Sequence, residues 1–217
     1  MHAHDGMGTI SMPQSSSAPV ASAIAGGSWV EVVGAAVGVV AAALGLLGRI
    51  PIGMAALGAF AVGVALVGQA IGQAVRWRDM SLRLDERTRR MVSTAIGANF
   101  GGGVLAIAAG ALALAHVSPL ASIAFAAIVL GIALILAGPG HQDVASMPPE
   151  AFRYEDLART SSGVMVIAGV ASAMLGVLAM FPGAPSLTLA LIAILVVGAA
   201  ELLAGGTLSS KFQRGAP

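Results

Sequence analysis

The chain has 217 residues, with 11 Lys and Arg against 10 Asp and Glu for a net charge of +1, and its mean hydropathy is +0.91. Hydrophobic residues make up 57% and charged residues 10%, whereas a soluble globular domain is about a quarter charged, so the composition excludes one and implies an integral membrane protein. The absence of cysteine excludes disulfides, thiolate metal sites and thiol nucleophiles.

Residues 1–28 are rich in Ser, Ala, Gly, Met and His, contain Pro13 and Pro19, and show no sustained helical period. They read as a flexible tail without its own core. The tail has no Lys or Arg, so it does not read as a secretory signal, and the first apolar segment reads as an anchor that stays. His2, His4, Met7 and Met12 are ligand types suited to a soft or borderline metal such as copper. Four loosely spaced ligands in a tail are weak grounds for a site, and an unliganded tail is the expectation.

Ser28-Trp29-Val30-Glu31 has the form of a capping box, in which a hydroxyl and a carboxylate satisfy the free amides of a helix start. Trp29 then falls where an interfacial aromatic belongs. A first span over residues 29–48 is long enough to cross a hydrocarbon core of about 30 Å at 1.5 Å per residue. Gly48-Arg49-Ile50-Pro51 is a tight turn, and a second span covers residues 52–75.

Residues 76–91 hold Arg76, Arg78, Arg83, Arg87, Arg89 and Arg90, six of the 11 basic residues. An arginine at the bilayer centre costs about 2.5–3.5 kcal/mol, so six of them keep this segment in water as a cytoplasmic loop. Its bland role is to set topology and meet anionic lipid headgroups. A sharper role is to dock a cytoplasmic partner.

A third span over residues 92–115, a turn at His116-Val117-Ser118-Pro119 and a fourth span over residues 119–138 follow. The polar connection 139–162 contains Pro148-Pro149-Glu150 as a helix start and Glu155 and Arg159 at i, i+4 spacing, which predicts a short surface helix near residues 151–159. The fifth span covers residues 163–181, the sixth 184–204, and residues 207–217 form a short cytoplasmic tail with Lys211 and Arg214. Six spans gather ten basic residues on one side and leave Arg49 alone on the other, a positive-inside pattern with both termini in the cytoplasm.

The spans also repeat. Gly38-x6-Gly45 recurs as Gly103-x6-Gly110 and Gly169-x6-Gly176, at offsets of 65 and 66 residues, and Leu47, Leu112 and Leu178 follow at matching places. Among the returning spans, Gly131-x6-Gly138 is matched by Gly198-x6-Gly205, while the second span keeps Gly63 with Ala70 at the second place. Glycines seven apart share a helix face and let a neighbouring helix come close. The expected fold is therefore an all-α membrane protein of six transmembrane helices, built as three parallel helical hairpins (residues 29–75, 92–138 and 163–205), with pseudo-threefold character about the membrane normal. These are not the inverted repeats common in secondary transporters.

A hairpin with Gly110-Ala111-Leu112-Ala113-Leu114, a turn with Pro119 and a run Ile128-Val129-Leu130-Gly131, echoed around residues 175–178, Pro185 and Gly198, resembles the HdeD family of bacterial inner-membrane proteins linked to acid resistance. The resemblance covers about residues 29–206. It implies a multi-pass protein of the bacterial inner membrane, structural or stress-related, and carries no catalytic residue with it. The chain departs from the compact family pattern in its N-terminal tail and in the connection 139–162.

The polar or ionisable residues within or bordering the spans are Glu31, Gln69, Gln73, Asn99, His116 and Glu201. Glu31, Gln69, Gln73 and Glu201 fall within about two turns of the cytoplasmic ends, and no ionisable residue is expected near the midplane, which argues against a proton relay. Asn99 alone reaches inward, beside Gly97 and Gly101-Gly102-Gly103, where it either bonds across a close helix contact or lines a small cavity. His116 is a weak candidate for binding a porphyrin or chlorophyll; a solvated turn histidine is the simpler reading.

The chain has no HExxH, GxSxG or P-loop motif, so no enzymatic activity and no cofactor are expected. Expected partners are membrane lipids, with a homo-oligomer or a larger membrane complex as further assemblies, and no nucleic acid. Two other functions stay open: an accessory subunit of a bioenergetic or photosynthetic complex, and a small-solute channel or transporter.

Overall fold

A computed structural model describes the backbone of residues 17–80, 86–143 and 152–214, and the side chains of residues 29–75, 86–87, 89–138 and 163–204. These residues form six helices and no strand: α1 (Ser17–Leu46), α2 (Pro51–Met80), α3 (Glu86–Leu114), α4 (Pro119–Asp143), α5 (Phe152–Leu178) and α6 (Ser186–Arg214). Five of them contain stretches long and apolar enough to cross a membrane, at Trp29–Leu46, Pro51–Val75, Arg89–Leu114, Pro119–Gly138 and Ser186–Ala204. The chain is therefore an all-α, multi-pass membrane protein. In α5 the described apolar stretch, Gly163–Leu178, ends three residues before the fifth span expected, because the helix stops at Leu178 and residues 179–181 belong to the following turn.

The helices run further than their apolar stretches. α1 begins at Ser17, so Ser28 lies inside it and cannot cap its start, and residues 17–28 belong to the helix rather than to a tail. The reason is local: Ala18, Ala21, Ala23 and Ala25 favour helix, and Pro19 falls in the first turn, where its missing N–H has no partner to lose. The basic segment 76–91 is likewise no extended loop. Arg76 and Arg78 lie in the last turns of α2, and Arg87, Arg89 and Arg90 in the first turns of α3. Glu86 favours the helix start at α3 through the macrodipole and pairs with Arg90 one turn on, an exposed contact that adds little. In the connection 139–162, α4 continues to Asp143, and the short surface helix expected near residues 151–159 is the beginning of α5. Only residues 144–151 lie between those two helices, outside the described set.

Each helix packs along its neighbour in sequence, α6 closes against α1, and α2, α4 and α6 also touch one another across the centre. The even helices thus form an inner triangle, and the odd helices fill the notches outside it. Burial follows the same division, with 67% of the apolar stretch of α2 buried against 33% of that of α3.

Glycine decides how closely these helices approach. A Cβ on Gly63 would meet Gly103 O at 2.8 Å, and one on Gly103 would meet Gly63 O at 2.7 Å. The contact of α4 with α5 is built alike: a Cβ on Gly131 would meet Gly169 O at 2.5 Å, and one on Gly169 would meet Gly131 O at 2.6 Å. Gly110 and Gly176 abut backbone too, against Ala56 O at 2.9 Å and Ala124 O at 3.0 Å, and Gly45 abuts Leu191 Cδ2 at 2.7 Å. Gly38 packs on the Val62 side chain. The closing contact between α1 and α6 is looser, with the Cβ position of Gly198 at 3.4 Å from Ala35 O. Gly138 is buried, and Gly205 lies beyond the described side chains.

Two of the turns are alike in detail. Gly48 N donates to Gly45 O at 3.0 Å and Arg49 N to Leu44 O at 3.0 Å; His116 N donates to Ala113 O at 3.1 Å and Val117 N to Leu112 O at 2.9 Å. Both are Schellman caps whose critical residue is left-handed, at φ 81° for Gly48 and φ 60° for His116. His116 therefore has a backbone role at the end of α3, and its exposed ring belongs to no cluster.

Candidate functional site: a buried polar layer on four helices

Lipid offers no water, so polar side chains inside a bundle must find partners there or remain costly. Among the described residues five polar side chains are buried: Glu31, Gln69, Asn99, Ser172 and Glu201. Ser172 is accounted for, since its Oγ donates to Ala127 O at 2.9 Å and ties α5 to α4. The other four form a layer.

The layer begins on α3. Asn99 Nδ2 donates to Gln69 Oε1 of α2 at 2.8 Å, and Gln69 Nε2 donates to Glu31 Oε1 of α1 at 3.4 Å. The first is a good bond across two helices; the second is longer than an ordinary N–H···O bond. Glu201 lies on α6, which packs against α1. It is fully buried, neither carboxyl oxygen has a hydrogen-bond partner, and the charged group acting on it is Glu31. Asn99 Oδ1 is a third buried oxygen without a donor.

Glycines set the helices at this spacing. Gly68, the residue before Gln69, would place a Cβ at 2.8 Å from Val30 Cγ1, beside Glu31. Gly34, one turn after Glu31, would meet Ala61 O of α2 at 2.8 Å. Gly103 lies one turn after Asn99 against Val67 N at 3.0 Å, and Gly198 one turn before Glu201 against Val39 Cγ2 at 2.9 Å. Each polar residue thus has a glycine within about a turn, where Cβ-free packing brings the next helix within reach of a short side chain.

The layer also lies deeper along the helices than the hydropathy pattern implies. Glu31 is the fifteenth of 30 residues in α1, Asn99 the fourteenth of 29 in α3 and Glu201 the sixteenth of 29 in α6. Placing these groups near helix ends followed the apolar stretches, and the helices extend past those stretches. Glu31, expected as a cap, is a mid-helix residue 3% exposed.

Glu201 occupies a telling position. Shifted back by 67 and 68 residues, the offsets that relate Gly198 to Gly131 and Gly131 to Gly63, it corresponds to Leu134 and Leu66. All three are completely buried on the inner helices. Leucine fills this place in α2 and α4, and α6 alone puts a carboxyl there.

Chemically the layer is rich in oxygen acceptors. The buried polar residues around it include no Lys, Arg or His among those described, and no group of three or more metal-ligating His, Cys, Asp or Glu occurs among them. Among the described residues it has no nucleophile and no soft ligand. The other candidates do not join it. Arg87, Arg89 and Arg90 are exposed, the side chains of Arg76 and Arg78 and the whole of Arg83 lie outside the described residues, and so do His2, His4, Met7 and Met12. Gln73 is half-buried one turn beyond Gln69.

Naming Glu31, Gln69, Asn99 and Glu201 one by one is possible from sequence, but their convergence depends on helix register. The signal that was available is the glutamate standing where the other two hairpins carry leucine. Compared with known protein families, curated proteins and solved structures, the chain matches none of them.

Proposed function

We propose that the chain is a non-enzymatic, multi-pass protein of the bacterial inner membrane, built of three like hairpins with both termini in the cytoplasm, and that its role is structural or stress-related, as the resemblance to the HdeD family implies. The observation that carries this reading is the recurrence of one glycine contact: Gly103 on Gly63 and Gly169 on Gly131, each pair backbone against backbone at corresponding places. Such packing makes a dense bundle rather than a conduit.

The rest of the described interior supports it. Away from the Glu31 layer, the one buried polar side chain among the described residues is Ser172, which is bonded to backbone, so no polar path leads across the bundle there. That weighs against the channel or transporter reading. The exposed large side chains, such as Trp29, Val33, Val40, Ile167 and Met174, suit lipid on every outer helix face where they occur and equally suit a membrane partner.

The test is deletion in the native host, followed by survival after acid challenge and by dye entry across the inner membrane. The expected result is reduced survival with increased dye entry, restored by the wild-type chain. Unchanged survival and unchanged permeability would remove the stress role.

A further inference from the structure

Arg49 stands apart from the other charges of the bundle. It lies in the turn between α1 and α2 with its side chain exposed, and among the described residues that side chain has no ion-pair or hydrogen-bond partner. The described acidic side chains are Glu31, Glu86 and Glu201. Glu86 begins α3 at the opposite end of the bundle, and Glu31 and Glu201 lie 15 residues from the turn-side ends of α1 and α6. The turn itself does not require an arginine: Arg49 N donates to Leu44 O at 3.0 Å, and in the second turn Val117 N makes the same bond to Leu112 O at 2.9 Å. The fold therefore gives the guanidinium no structural use.

An apolar groove runs beside it. The mouth, about 590 Å³, is lined by Arg49, Leu47 and Ile50, and the groove continues along Leu44 and Met54 into a reach of about 370 Å³ that ends at Ala36 and has no polar side chain in its lining. From Ala36 to Leu47 it follows α1 for about 16 Å at 1.5 Å per residue, which is half of a hydrocarbon core of about 30 Å. The groove is thus one leaflet deep, with a cation at headgroup level. Its bore decides what fits. The deeper reach, spread over the roughly 12 Å from Ala36 to Leu44, has a cross-section of about 30 Å², room for one hydrocarbon chain, whereas a helix about 10 Å across needs about 80 Å².

We propose that the outer groove between α1 and α2 binds one anionic phospholipid, with its phosphate on Arg49 and one acyl chain laid along Leu44 and Val40 toward Ala36. Arginine takes a phosphate by two parallel N–H···O bonds, which fixes the headgroup as well as attracting it. A zwitterionic headgroup carries its own cation beside the phosphate, in competition with Arg49; an anionic one carries none, and no described carboxylate at this end repels it. The inference uses the first hairpin alone. It does not depend on a stress role or on which side of the membrane the turn faces, so an unchanged deletion phenotype would leave it standing.

The test reconstitutes the full chain in phosphatidylcholine vesicles containing a trace of phosphatidylglycerol with a photoactivatable group midway along one acyl chain, and maps the cross-linked residues by peptide mass spectrometry. The label is expected to concentrate on residues 36–57. Below saturation it is expected to fall about tenfold or more in Arg49→Val, the loss that removing a charge-assisted hydrogen-bond partner brings. Arg49→Val copies Val117 of the second turn, so the cap survives it. Ala36→Leu, which narrows the inner end of the groove with Arg49 in place, is expected to reduce the label as well, and Arg87→Gln, at the other end of the bundle, to leave it unchanged. Equal labelling by phosphatidylcholine bearing the same chain, label spread evenly over the outer helix faces, no loss in either groove variant, displacement by inorganic phosphate, or cross-linking of this face to another polypeptide in native membranes would each overturn the proposal.

Discussion

Gly131→Ala and Gly169→Ala are each expected to destabilise the bundle by about 1–3 kcal/mol, the range for forcing an extra methyl into a packed interior. The new Cβ at residue 131 would stand 2.5 Å from both Ala173 N and Gly169 O, and the one at residue 169 would stand 2.6 Å from Gly131 O. The opposing atoms are backbone, so no side chain can turn aside and the two helices must separate. Separation sacrifices dispersion contacts along the whole interface, and in lipid those contacts are a main source of helix association. The double substitution is expected to cost less than the sum, because once α4 and α5 have parted for one methyl there is room for the other. Gly97→Ala and Gly101→Ala are the controls: nothing lies within 4 Å of either Cβ position, and both are expected to be neutral or slightly stabilising. Reversible unfolding in mixed micelles measures all five variants, and equal losses at residues 101 and 131 would show that helix packing is not what the glycines supply.

Glu201→Leu is expected to stabilise the chain by about 1–3 kcal/mol, the cost of a buried polar group left without a hydrogen-bond partner. The site already accepts leucine at two corresponding positions, Leu66 and Leu134, both with no exposed surface. The substitution removes two oxygens that have no donor and relieves Glu31 of a neighbouring carboxyl. A gain of this size would mean that the glutamate is held at a cost to stability, as functional groups inside membrane bundles are. A loss of stability on substitution would mean instead that the carboxyl has structural partners holding α6 in place.

Hydropathy makes the helices legible and misplaces their ends. The apolar stretches are long and free of charge, so their number and order follow from cost in the bilayer, but Arg76, Arg87 and Arg153 are compatible with helix in water and α2, α3 and α5 continue through them. Which helices lie inside is not written in the pattern, because a lipid-facing side chain is as apolar as a core one. Leu66 is fully buried and Leu112 about half exposed, with nothing in their types to separate them. The glycine spacing is informative for the opposite reason: a missing Cβ has few uses in mid-helix, and Gly45, Gly110 and Gly176, seven residues after their partners, all abut a neighbour. The polar layer is legible only in part. Glu31 lies 38 residues from Gln69, and Gln69 lies 30 from Asn99, so their meeting is fixed by the close approach of α1, α2 and α3 rather than by local sequence.

The three hairpins are expected to cross the membrane in the same sense, and α5, with its short apolar stretch, is the helix on which that expectation is tested most severely. The chain has no cysteine, so a single cysteine introduced anywhere reports its own position. Substitutions Arg49→Cys, Ser118→Cys and Gly183→Cys sample the three turns, and Arg87→Cys samples the start of α3. In intact cells an impermeant maleimide is expected to label the three turn variants and to spare Arg87→Cys until the membrane is opened. Protection of Gly183→Cys together with Arg87→Cys would place the third turn on the basic side and contradict the three-hairpin arrangement.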